Sequence, residues 1–116
     1  MGVKSSTIAD ANVGLIEVSG SLVGGDETVE VRQAIAGFVD RKYQKLLIDL
    51  SNVTYLNSTA IGVLVSAQTT YSRNGWQIKL TGLNKNIENI FVITKLTLVF
   101  TIHSTREAAL AVMEEA

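Results

Sequence analysis

Residues 46–65 read LLIDLSNVTYLNSTAIGVLV, and the way this stretch is divided decides the fold. An apolar run ends at Asp49, polar residues follow, and Asn57-Ser58-Thr59 precede a second apolar run. The segment QKLLIDL (44–50) is almost wholly apolar, which predicts a short strand covered on both faces. Residues Ser58 to Arg73 have helical length and end at Asn74-Gly75, where the glycine suits a left-handed C-terminal cap. Asn57 is a favoured N-cap residue, with Ser58 and Thr59 in the first turn. A buried strand running directly into an amphipathic helix is the repeating unit of a parallel α/β sheet.

The flanking sequence extends the same pattern. VKSSTIAD (3–10) and VGLIEVSG (13–20) read as strands joined by the turn-prone Asp10-Ala11-Asn12, an antiparallel hairpin. In DETVEVRQAIAGFVD (26–40), Val31, Ile35 and Phe38 recur at helical spacing, and Asp26 is placed to cap the start. WQIKLTG (76–82) is the next strand. NKNIENIFVITKL (84–96) is a helix with Ile87, Ile90, Phe91 and Thr94 on one face. TLVFTIH (97–103) is the last strand, and STREAALAVMEEA (104–116) closes as a helix whose Ser104-x-x-Glu107 forms a capping box. The order is β-β-α-β-α-β-α-β-α: a single α/β domain over 1–116, its mostly parallel central sheet carrying one antiparallel strand.

Composition narrows the function. A hydrophobic fraction of 47% supports a core, yet no apolar run approaches the ~20 residues of a membrane helix. The first ten residues lack the basic-then-apolar pattern of a signal peptide, and MGVKSS fits the N-myristoylation pattern only at a level that chance supplies. With no cysteine, disulfides and thiolate metal sites are excluded, and a cytoplasmic location is the simplest reading. Net charge is −1 and no basic block extends beyond Arg41, Lys42 and Lys45, so nucleic acid is not expected as a partner.

Catalytic motifs fail one by one. Gly20 and Gly25 have P-loop spacing, but Asp26 and Glu27 stand where the lysine and the hydroxyl residue should be and would repel a phosphate. Asp49 sits where a receiver domain carries its acceptor aspartate, without the acidic pair or the lysine such a site needs; it reads instead as a partner for backbone amides just beyond it. His103 is the only histidine and reads as a surface or hydrogen-bonded residue, leaving no metal cluster and no base for a serine nucleophile. Trp76 reads as a packing residue. No catalytic residue, cofactor or metal is expected, and the chain is not read as an enzyme. What remains is Asn57-Ser58-Thr59. These residues can simply start a helix, but a hydroxyl there is also accessible, and a phosphate on it would meet free N–H groups and the positive end of the helix dipole.

The run LLIDLSNVTYLNSTAIGVLVSAQTTYSRNGWQIKLTGL, continued by NIENIFVITKLTLVFTIHSTREAAL, resembles the STAS domain of bacterial anti-sigma factor antagonists. The family signature is a hydrophobic strand ending in Asp, a short loop, Asp-Ser-Ser/Thr-Gly-Leu-Gly, then a helix leading to a glycine turn. The likeness is most specific from Leu46 to Gly82. It implies phosphorylation at Ser58, with Thr59 as runner-up, and a partner surface of Asn57, Ser58, Thr59, Ile61 and Gly62. It also implies two partners: a serine kinase that doubles as the anti-sigma factor, and a metal-dependent serine phosphatase. Asn57 replaces the usual Asp, Ala60 replaces the first Gly, and GSLVGGDET lacks the aspartate commonly found just after that strand's glycine. The same family also implies an alternative: an accessory subunit of a lipid ABC transporter, or a stress-complex scaffold, with no phosphorylation cycle.

Overall fold

Strand β3 (Lys45–Leu56) lies at the centre of a five-stranded sheet in the computed structural model, which describes residues 2–8 and 12–114. β2 (Val13–Leu22) and β4 (Gln77–Thr81) flank it in parallel, β1 (Val3–Ile8) pairs antiparallel with β2, and β5 (Thr101–His103) runs parallel at the far edge. The register aligns Leu15 with Leu47, and Ile16 with Ile48 and Leu80. Because side chains alternate along a strand, these two rows face opposite sides. Ile16, Ile48 and Leu80 enter the main core, closed by α1 (Asp26–Asp40), α2 (Ser58–Arg73) and α3 (Lys85–Ile93). On the other face Val13, Leu15 and Leu47 are covered by Ala109 and Met113 of α4 (Arg106–Glu114).

The element order agrees with the sequence reading, and both α1 and α2 run over the expected residues. Val31, Ile35 and Phe38 are buried as their spacing requires. Gly75 has φ 72°, the left-handed conformation that ends α2. Trp76 packs edge-on against Tyr71, ring centroids 5.5 Å apart. Tyr71 is fully buried and donates its hydroxyl to the Tyr43 carbonyl oxygen, and burial pushes its pKa up to about 12.

Four details differ. Asp26 does not cap α1: Gly25 holds the N-cap position without a side-chain bond, and Asp26 is the first helical residue, where its charge still complements the dipole. β3 continues past Leu50 to Leu56 because β2 stays paired with it as far as Leu22–Leu56, through two register shifts. Its polar residues there face solvent while Val53 and Leu56 remain buried. The last strand is much shorter than 97–103. Lys95 turns the chain at φ 62°, Leu96–Leu98 form a 3-10 turn, and only Thr101–His103 then pair with β4, opposite Lys79–Thr81. Finally, Thr105 and not Ser104 caps α4, its Oγ1 accepting from the Ala108 amide at 3.1 Å. Of the expected hairpin turn, Asn12 has φ 56°, while Asp10 and Ala11 lie outside the described residues.

α4 is held by charge as well as by its small apolar contact. Arg106 Nη2 donates to Glu17 Oε2 at 2.9 Å and to Asp49 Oδ2 at 2.7 Å. The Ser51 amide donates to Asp49 Oδ1 at 2.9 Å, joined by the Ser51 hydroxyl. Asp49 therefore does bond a backbone amide beyond it, as expected, and is also committed to a distant arginine. Burial pushes the Asp49 pKa up, but the bonds from Ser51 and Arg106 outweigh it and hold the carboxyl below its ordinary 3.8. A folded-state pKa below the unfolded one gives stability that is present above the unfolded value and lost as pH falls through the folded value. Arg106 and Glu17 are about a third exposed (35% and 37%), so water screens part of the attraction. Asp49→Asn is expected to lower stability by about 1–2 kcal/mol near neutral pH, and the gap to wild type should close on acidification below the ordinary Asp range. Urea denaturation at the two pH values measures it.

Candidate functional site

The start of α2 is fixed from both sides. The Asn57 amide donates to the Leu22 carbonyl oxygen at 3.0 Å, tying the end of β3 to the end of β2. Asn57 has extended backbone (φ −100°, ψ −178°), and its Oδ1 accepts from the Ala60 amide at 3.0 Å. This is the N-cap bond expected of it. Ser58 and Thr59 follow as the first two helical residues, both exposed, while Ala60 turns into the core. Ile61 is half-buried and packs against the main core, and Gly62 is exposed one turn beyond Ser58. The five residues singled out in the sequence thus share one short stretch of surface, with Ile61 turned partly away from it.

The two hydroxyls differ in surroundings. Thr59 faces the β2–α1 loop: a methyl built on Gly24 would lie 3.5 Å from Thr59 Cγ2. Thr59 and Gly62 also line a groove of about 630 Å³ between α1 and α2, with Arg32, Ala36 and Ser66 among the other walls. Ser58 does not line it. The first turn of α2 contains no acidic residue, in contrast to Asp26 and Glu27 on α1. The positive pole of the α2 dipole and its unpaired first-turn amides therefore carry no compensating carboxylate from their own helix.

Two exposed apolar residues on the segments that flank this site escaped the sequence reading. Val23, in the β2–α1 loop, is 53% exposed, and Tyr55, near the end of β3, is 49% exposed. The pairing Ser21–Tyr55 and Leu22–Leu56 brings their segments side by side next to Asn57. The only signal available was an aromatic residue in an otherwise polar stretch; which way it points depends on the register shift.

The other candidates lie elsewhere. Gly20, at φ 92°, sits within β2 at one of its register shifts, while Gly24, at φ 88°, and Gly25, the N-cap of α1, form the turn into that helix. His103 ends β5 beside Thr81 and is half-buried. Its Nε2 has no hydrogen-bond partner among the described residues, contrary to expectation. Burial and nearby Lys79 lower its pKa. Among the described residues no group of three His, Cys, Asp or Glu could hold a metal ion, and no helix is long and apolar enough to cross a membrane.

The family model described as "STAS domain" matches residues 6–109. A protein of Thermotoga neapolitana named as a candidate anti-sigma factor antagonist is 32% identical over 73 residues, 63% of this chain. The chain spans 65% of the length of the curated relatives it matches. Among solved structures, an anti-sigma factor antagonist from Mycobacterium paratuberculosis superposes with a TM-score of 0.81 at 21% identity, covering 96% of this chain and 93% of that one. The Bacillus cell fate determinant SpoIIAA in its phosphorylated form gives 0.73 at 12% identity, covering 95% and 98%. At these identities the structural likeness speaks for the fold.

Gly62 gives the site a physical test. Mid-helix glycine costs up to ~1 kcal/mol relative to alanine. Its absent side chain is not filled by a neighbour, because a methyl built there meets nothing within 4 Å. Packing within the domain therefore does not explain the glycine, whereas an approaching surface would. Gly62→Ala is expected to raise stability by roughly 0.5–1 kcal/mol, read as a higher midpoint in thermal or urea denaturation.

Proposed function

The chain belongs to the STAS domain family, and from that premise we propose that it is one such domain over 1–116 and acts as an anti-sigma factor antagonist switched at Ser58. Unphosphorylated, it binds an anti-sigma factor serine kinase through Asn57, Ser58, Thr59 and Gly62, flanked by Ile61, Val23 and Tyr55, and so frees a sigma factor. The kinase then transfers the γ-phosphoryl group of ATP to Ser58. A bond forms between Ser58 Oγ and phosphorus as the bond to the bridging oxygen of ADP breaks, and the hydroxyl proton passes to a base on the kinase. A metal-dependent phosphatase hydrolyses the ester and resets the switch. The ATP and magnesium belong to the partners.

The observation that carries this reading is the position of Ser58: exposed, first in α2, and beside a dipole end without an acidic neighbour in its own first turn. A phosphate there gains compensation from backbone amides, so the fold tolerates the modification. At an interface the same charge must be desolvated, which opposes rebinding of the kinase. Ser58 is favoured over Thr59 because Thr59 lies against the Gly24 turn and lines the groove, leaving its oxygen less open to in-line approach.

Incubation with the cognate kinase and labelled ATP tests the assignment. Ser58→Ala is expected to abolish incorporation and Thr59→Ala to retain most of it, with circular dichroism confirming that both variants fold. The reverse pattern moves the acceptor to Thr59. Full incorporation in both variants overturns the site.

A further inference from the structure

A second surface lies between α3, the 3-10 turn and β5. Val92 (57%), Ile93 (79%), Leu98 (83%) and Val99 (43%) are exposed there. Single exposed apolar residues are ordinary, but four in the span 92–99 make a patch, and such patches mark interaction sites. Their exposure is built into the backbone. Thr94 ends α3, its Oγ1 donating to the Ile90 carbonyl oxygen at 2.6 Å, and Lys95 at φ 62° turns the chain outward. Beside these projecting side chains is a recess of about 330 Å³ lined by Leu83, Glu88, Val92, Thr97, Phe100 and Ile102. Next to it β5 leaves its outer edge unpaired, at the end of the strand order.

The patch carries each feature together with its complement. It has a projecting leucine and an apolar recess, a cation at Lys95 and an anion at Glu88; among the described residues neither charge forms an ion pair. A two-fold interface requires this arrangement, because one surface must serve as both partners. We propose that this face pairs with the same face of a second copy of the chain, Leu98 seated in the opposite recess and Lys95 meeting Glu88 of the second copy. A lipid surface fits less well, since Glu88 at the recess would be carried toward acyl chains. The paired residues lie on α3, the 3-10 turn, β5 and the Leu83 segment, and none belongs to the α2 start that carries Ser58. The inference therefore stands apart from the phosphorylation reading.

Sedimentation velocity on the full chain over a concentration series tests it. Wild type is expected to form a dimer that strengthens with concentration. Leu98→Asp should weaken association by about tenfold or more. Glu88→Lys and Lys95→Glu should each weaken it, because each variant places like charges across the two-fold. An equimolar mixture of those two variants should associate again, since every cross-interface pair becomes opposite in charge. All three positions are exposed, and circular dichroism checks that each variant is folded. Wild type that stays monomeric up to about 1 mM overturns the proposal, as does a dimer indifferent to the variants or a folded variant pair that fails to associate on mixing. Monomer that floats with phosphatidylcholine vesicles also overturns it and assigns the patch to lipid.

Discussion

The pairing of β2 with β3 out to Leu22 and Leu56 determines where everything else stands. Both strands are buried through their apolar segments, and a slip of one residue would turn Ile16 and Ile48 away from the main core. That burial fixes the register. The register in turn sets the Asn57 amide opposite the Leu22 carbonyl oxygen, and this bond stops the strand and starts α2. The exposed Ser58 is thus a consequence of core packing several residues away. The same pairing places the β2–α1 turn beside the β3–α2 junction, so Gly24 comes next to Thr59, with Val23 and Tyr55 exposed on the two adjoining segments.

Such a site suits a reversible modification because stability and recognition draw on different atoms. The fold depends on buried aliphatic residues, on the Asn57 cap and on the Arg106 clamp across Glu17 and Asp49. Ser58 contributes to none of these. A phosphate adds about −1.5 to −2 charge at a helix end that tolerates it, whereas a partner pressed against the same surface must desolvate it. A group that is nearly neutral for folding can then be costly for binding, which is the property a partner switch requires.

Much of this was legible in the sequence because the signals were local. α1 and α2 were bounded by apolar spacing and, for α2, by Asn57 at one end and Gly75 at the other, and Ser58 followed from the α2 boundary. The failures were cases where a distant segment decided. β3 runs through polar residues because β2 continues beside it. TLVFTIH has the composition of a strand, yet Lys95 turns the chain and Leu96–Leu98 wind into a 3-10 turn, leaving only Thr101–His103 to pair with β4. Ser104 and Thr105 are adjacent hydroxyls, and the helix starts one residue later than the capping-box pattern suggests, which makes Thr105 the cap. Arg106 reaches across 57 positions to Asp49 and 89 to Glu17, contacts that no local pattern reveals. Val23 and Tyr55 likewise are brought onto segments adjoining the α2 start only through sheet register.

The central claim is that a phosphate on Ser58 alters the surface and spares the fold. Calorimetric titration of unmodified and Ser58-phosphorylated protein against the proposed anti-sigma factor kinase, with circular dichroism on both forms, addresses it directly. The account predicts superimposable spectra and an affinity lower by roughly 30- to 1000-fold for the phosphorylated form, equivalent to about 2–4 kcal/mol. Equal affinities for the two forms would contradict it.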